Sequence, residues 1–135
     1  NTGVLVVDDS PTAQLHTVRA LENDFDIRTC DNGLKAIELC CADPGPELVL
    51  LDVTMPEIDG FETLTRLRQD PRSARIPVIF VSAMTAKSFR MKGLALGAID
   101  YVTKPVIPEV LRLQVGNLLR LLDDRRRPAR ARRFN

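Results

Sequence analysis

A chain of 135 residues suits one domain with a single core, and its 44% hydrophobic and 27% charged residues lie in the globular range. Aromatics are only 4% and tryptophan is absent, so the core must be mainly aliphatic. No apolar run reaches the ~18 residues of a membrane span, and Asn1-Thr2-Gly3 lacks the pattern of a signal sequence, so a soluble cytoplasmic protein without a membrane partner is expected.

Gly3 to Val7 is a valine-rich apolar run ending at Asp8-Asp9, which reads as a buried parallel strand. Ser10-Pro11 then opens a helix to about Glu22, because serine caps free backbone donors and proline suits the first helical position. Asp26 to Cys30 reads as a second strand, followed by the Asn32-Gly33 turn and a helix over Leu34 to Cys41 with Ile37 and Cys41 on one face. Asp43-Pro44-Gly45-Pro46 stops that helix. Leu48 to Leu51 is a strand running into Asp52, and a helix from about Asp59 to Arg68 carries Phe61, Leu64 and Leu67. Ile76 to Val81 is a fourth strand before Ser82-Ala83, and a weak helix from Ala86 to Leu96 closes at Gly97. Ile99 to Thr103 is the fifth strand, and after Lys104-Pro105 a leucine-dense helix runs from about Pro108 to Asp124 or beyond. Residues 1–124 are thus expected to form the domain.

The overall charge of +1 conceals an asymmetry. Six arginines fall within residues 125–135, and without them 13 basic residues face 18 acidic ones. That segment is expected to be a disordered basic tail or linker, with nucleic acid an unlikely partner. The three cysteines, two of them adjacent, show neither a disulfide framework nor metal-ligand spacing, and read as small apolar side chains. His16, Met84 and Met91 read as packing or surface residues.

Strands alternating with helices predict an α/β fold, a doubly wound parallel sheet with helices on both faces. Such sheets place their sites outside the carboxyl ends of the strands. The residues there are Asp8 and Asp9, Asp52, Ser82 and Lys104. Each aspartate alone would pass for a turn residue or helix cap. Together they put three carboxylates on one rim, whose repulsion a hard divalent cation relieves, and an all-oxygen donor set suits magnesium.

Val7-Asp8-Asp9, Leu51-Asp52 followed by Met55-Pro56 and Asp59-Gly60, Val81-Ser82-Ala83, and Tyr101-Val102-Thr103-Lys104-Pro105 resemble, in order and spacing over about Val4 to Leu122, the response regulator receiver family of two-component signalling. The resemblance implies a flavodoxin-like, five-stranded sheet of order 2-1-3-4-5. It makes Asp52 the phosphoacceptor, charged by a histidine kinase or phosphotransfer protein. It also implies that Asp9 and Asp52 bind Mg2+ (or Mn2+) directly, that Asp8 acts through a metal-bound water, and that the backbone carbonyl of Thr54 completes the set. Lys104 would pair with Asp52 and with phosphoryl oxygens, and the peptide before Pro105 would be cis. Ser82 would be the switch hydroxyl, and Tyr101 would follow it, altering the surface of the fourth helix, fifth strand and fifth helix. The domain would be a regulatory phosphoacceptor and not a turnover enzyme. Neither Thr54 nor Met84 offers a group to align water, so loss of the phosphoryl group should be slow.

On the last helix, Leu111, Val115, Leu118 and Leu122 form one apolar stripe, while Val110, Leu113, Leu119 and Leu121 widen it. The surplus suggests a second face, for a homodimer through the fifth helix or a downstream output domain, and Val110-Leu111 with Asn117-Leu118-Leu119-Arg120-Leu121-Leu122 resemble receivers joined by a continuing helix to diguanylate cyclase or related cyclic-dinucleotide modules. A rival reading is an aspartate-based phosphohydrolase, whose usual second aspartate is replaced here by Thr54. A flavin or nucleotide module is a third, opposed by the lack of a glycine-rich phosphate loop after the first strand.

Overall fold

The computed structural model describes the backbone of residues 3–126 and side chains up to Asp123; the basic-tail expectation for 125–135 therefore lies, beyond two helical backbone positions, outside the described residues. The elements alternate as β1 (Gly3–Val7), α1 (Pro11–Leu21), β2 (Asp26–Cys30), α2 (Gly33–Cys40), β3 (Leu48–Leu51), α3 (Gly60–Gln69), β4 (Val78–Ser82), α4 (Lys87–Ala95), β5 (Asp100–Thr103) and α5 (Pro108–Arg126). The strands form one parallel sheet in the order β2-β1-β3-β4-β5. Fold class and strand order are those expected.

The inner strands β1, β3 and β4 are apolar up to Ser82 at the end of β4, because both sheet faces are covered. Leu5, Val7, Val49, Leu51, Val78 and Phe80 point to one face, where they meet Ala36, Phe61, Leu64 and Leu67. Val4, Val6, Leu48, Leu50, Ile79 and Val81 point to the other, against Ala20, Leu21, Leu111 and Val115. The edge strand β2 differs: Asp26, Arg28 and Thr29 are exposed, and charges on an edge discourage pairing with another chain.

Local chemistry sets the helix starts. Ser10 Oγ accepts from Ala13 N at 3.3 Å, Asn32 Oδ1 from Lys35 N at 2.8 Å, and Asp59 Oδ1 from Glu62 N at 2.8 Å. The Asn32 cap starts α2 at Gly33, one residue before the expected Leu34. Ala36 and Cys40 are buried, while Ile37 and Cys41, the pair expected on one face, are half-buried. Gly33 at the new start packs so closely on Thr63 and Ile58 that no side chain fits there.

β4 starts at Val78, not Ile76, since Pro77 has no N–H for the ladder and only its carbonyl is used, by Val49 N at 3.0 Å. α5 runs to Arg126, within the expected span of Asp124 or beyond. Leu111 and Val115 are buried and Leu118 and Leu119 pack against the same core, which moves Leu119 from the expected second face to the first. Val110, Leu113 and Leu121 remain exposed. Cys40 is buried, Cys30 and Cys41 are half-buried, and all three are free thiols. Burial pushes the Cys30 thiol up to about 11 and that of Cys40 to about 12. Among the described residues no helix is long and apolar enough to cross a membrane.

Candidate functional site

The site forms because the sheet ladder continues one residue past the strands. Val7 pairs with Leu51, and Asp52 N then donates to Val7 O at 3.0 Å, while Asp8 N donates to Cys30 O at 3.1 Å. Ser82 pairs with Thr103, and Lys104 N donates to Ser82 O at 2.8 Å. Asp8, Asp52, Ser82 and Lys104 are therefore held at one edge by backbone bonds. The sequence-predicted residues come together there.

Lys104 Nζ donates to Asp8 Oδ2 at 2.6 Å and to Asp52 Oδ2 at 3.2 Å. The Asp8 contact is the shorter, whereas the sequence reading paired Lys104 with Asp52. Asp8 is 3% exposed and Asp52 7%, so both charges lie in a poorly hydrated place; Asp9 is exposed. One oxygen from each of Asp8, Asp9 and Asp52 falls within 4.8 Å of the others.

Burial raises the Asp52 carboxyl above the ordinary aspartate value and the Asp8 charge adds to this, against the opposing pull of the Lys104 ammonium. Burial acts on Lys104 to lower it, but the hydrogen bond to Asp8 and the charges of Asp52 and Asp8 outweigh that, and the net shift is upward. Like charges crowded in a low-dielectric pocket, with only oxygen donors, form a set that fits a hard divalent cation such as magnesium.

The loop after β3 folds back on Asp52. Gly60 N donates to Val53 O at 2.7 Å, and Gly60 lies against the Asp52 backbone so tightly that a β-carbon has no room. Thr54 is exposed in this loop and Glu57 adopts a left-handed φ of 69°. The peptide between Lys104 and Pro105 is cis.

Ser82 is fully buried, and its Oγ accepts from Met84 N at 3.1 Å. Tyr101 Oη donates to Met84 O at 2.6 Å, with its ring buried among Phe80 and the core. The backbone of one residue, Met84, thus joins the two switch candidates through its N–H and its carbonyl, a role that no side-chain pattern signals. Gln14 also escaped the sequence reading. Its Nε2 donates to Asp8 O and to Cys30 O, both at 3.1 Å, and a glutamine inside an amphipathic helix carries no mark of that. His16 is exposed, as is Met91.

The family model for the response regulator receiver domain matches residues 4–115. The chain is 36% identical over 112 residues to a probable cyclic di-GMP phosphodiesterase of Vibrio cholerae, covering 83% of this chain and 25% of that protein. It is 34% identical over 136 residues to the response regulator PleD of Caulobacter vibrioides, covering 97% of this chain and 30% of that one. The chain therefore spans between a quarter and a third of these two relatives. Among solved structures, a putative response regulator from Chloroflexus aurantiacus superposes with a TM-score of 0.81 at 29% identity, over 87% of this chain and 97% of that one. The family match gives the phosphohydrolase reading no support. With carboxylates, hydroxyl and lysine at the strand ends and a family match across nearly all of the described fold, the chain belongs to the response regulator receiver domains and works in two-component signal transduction.

Proposed function

We propose that Asp52 is the phosphoacceptor of this receiver and that Asp8, Asp9, Asp52 and the backbone carbonyl of Thr54 hold a magnesium ion, or manganese in its place. The observation that carries the reading is the sharing of the Lys104 ammonium between Asp8 and Asp52 while three carboxylates crowd within 4.8 Å. Such crowding costs free energy unless cations occupy the site.

In the step itself an Asp52 carboxylate oxygen attacks the phosphorus of a phosphohistidine on a histidine kinase or phosphotransfer protein. The new O–P bond forms as the P–N bond breaks, and the imidazole leaves with the bonding pair. When bound, the divalent cation supplies charge neutralisation for the transferring oxygens. Lys104 holds the Asp52 carboxylate in place beforehand and pairs with a phosphoryl oxygen afterwards. Ser82 turns its hydroxyl from Met84 N to the phosphoryl group, and the released Met84 backbone resets Tyr101, which is bonded to the Met84 carbonyl at 2.6 Å.

Readout then falls to α4, β5 and α5, where Met91, Leu94, Ile99, Val110 and Leu113 expose apolar surface. That surface serves a downstream output domain or a homodimer through α5, and residues 1–124 form the receiver proper. The phosphodiesterase named among the relatives favours a cyclic-dinucleotide output. The domain works in the cytoplasm as a phosphoacceptor that loses its phosphoryl group slowly, because neither Thr54 nor Met84 presents a carboxylate or amide to water.

Mass measurement after treatment with acetyl phosphate tests the assignment. One magnesium-dependent phosphoryl adduct is expected on the native chain and none on Asp52→Ala. An equal adduct on the variant removes Asp52 from the role.

A further inference from the structure

Asp9 owes its position to its neighbours, since the turn that carries it is pinned on both sides. Asp8 N donates to Cys30 O at 3.1 Å, Asp8 Oδ1 accepts from Ser10 N at 2.9 Å, and Asp8 Oδ2 holds Lys104 at 2.6 Å. The Asp8 carbonyl is the group left, and Gln14 Nε2 reaches it from the second turn of α1 at 3.1 Å. The same Nε2 donates to Cys30 O at 3.1 Å. One carboxamide therefore ties the end of β1 to the end of β2 and fastens both to the helix following the acidic pair. On the far side of Asp9, Ser10 caps α1 and its carbonyl accepts from Gln14 N at 2.9 Å.

We infer that Gln14 is a positioning residue for divalent-cation binding, acting through the backbone of the Asp8-Asp9 turn and not by contact with the ion. Three carboxylates held within 4.8 Å repel one another, and the bonds on the turn that carries Asp9 must hold it against that repulsion. Lys104 restrains the Asp8 side chain but not the main chain that carries Asp9. Gln14 restrains that main chain. A lost outer clamp of this kind costs metal affinity roughly tenfold or more, because part of the binding energy then goes to reassembling the site. The inference rests on the cation-site reading given above.

The test uses Gln14→Met, which keeps length and flexibility but removes both donors, and Gln14→Glu, which replaces the donor with a carboxylate beside two carbonyls. Magnesium affinity is read from the rise in Tm with magnesium concentration on the unphosphorylated chain, and acetyl phosphate labelling is followed at limiting and saturating magnesium. We expect roughly tenfold weaker magnesium binding in Gln14→Met, a larger loss in Gln14→Glu, and labelling that recovers at saturating magnesium. A lower Tm without magnesium, paired with native magnesium affinity, would make Gln14 a structural residue only and overturn the inference. The cation-site reading fails separately, if the native chain shows neither a magnesium-dependent Tm nor a magnesium-dependent adduct. Should the variants misfold, Gln14→Asn is the alternative, with the same amide on a stem too short to reach both carbonyls, and unaltered affinity there overturns the inference as well.

Discussion

Asp8 has a partner for its N–H, its carbonyl and both carboxylate oxygens, whereas α4, at the other end of the signalling path, starts at Ala86 with no side-chain cap. α1, α2 and α3 each have a capping side chain. Gly93 is the buried residue of α4, resting on the Phe80 ring so closely that a β-carbon would come within 2.8 Å. Beyond that, α4 is held by Phe89 stacked on Phe61, by Lys92 over the same ring at 4.8 Å, and by Arg68 donating to Gly97 O at 3.2 Å just past its carboxyl end. Its Met91 and Leu94 stay exposed. The chemistry needs atoms fixed before reaction, so the strand ends are densely bonded. The readout must move at small cost, and few buried contacts with an unsatisfied helix start give that.

Removing the cation that the acidic edge is built around should break this contrast most severely. Lys104→Met leaves the Asp8 and Asp52 carboxylates buried without their positively charged partner, a situation that typically costs about 3 kcal/mol or more. Urea denaturation at neutral pH without divalent cation should show that loss. Magnesium should restore part of it, since the ion supplies positive charge to the same carboxylates. Hydrogen exchange in α4 should change little relative to the rest of the fold. A variant as stable as the native chain would mean that hydration, not Lys104, balances the two aspartates.

A smaller effect of opposite sign is expected from Asp52→Asn. Burial holds the Asp52 carboxyl above the ordinary aspartate value, so in the pH range between the unfolded and folded values the folded chain keeps a proton that the unfolded chain has released. Stability from this group is thus greatest at low pH and is lost as pH rises through the raised folded value. The amide escapes that loss. Without divalent cation, Asp52→Asn should melt on the order of 3 °C higher at neutral pH, with the gap closing in acid. A gap that widens in acid would reverse the sign assigned to Asp52.

Much of this was legible in the chain itself. β1 and β2 match their predicted bounds because valine-rich or alternating runs end at unmistakable turn residues, and the site follows from four strand ends and the rule for parallel sheets. On α2 the pattern placed Ile37 and Cys41 on one face but did not reveal Ala36 and Cys40 as the deepest positions, because small side chains carry little hydrophobic signal. Contacts between distant residues were harder still. The preference of Lys104 for Asp8, the bridge from Ser82 through Met84 to Tyr101, and the Gln14 clamp all use backbone groups or rotamers that no residue type announces.

The finest test sharpens the contrast from the α4 side. Ala86 already has the extended backbone of an N-cap, with φ −61° and ψ 140°, so Ala86→Ser needs no rearrangement to place a hydroxyl near the free N–H groups of the first turn. The cap should contribute about 0.5 kcal/mol, seen as slower hydrogen exchange over residues 87–95. It should also favour whichever arrangement keeps α4 wound from Lys87 and resist the movement that Tyr101 and Met84 transmit. The expected signature is therefore a slightly more stable domain with an unchanged yield of the magnesium-dependent adduct and a reduced exchange response of α4 to it. If α4 responds as fully as in the native chain, its missing cap is incidental to signalling, and the looseness must lie in the Gly93 contact with Phe80.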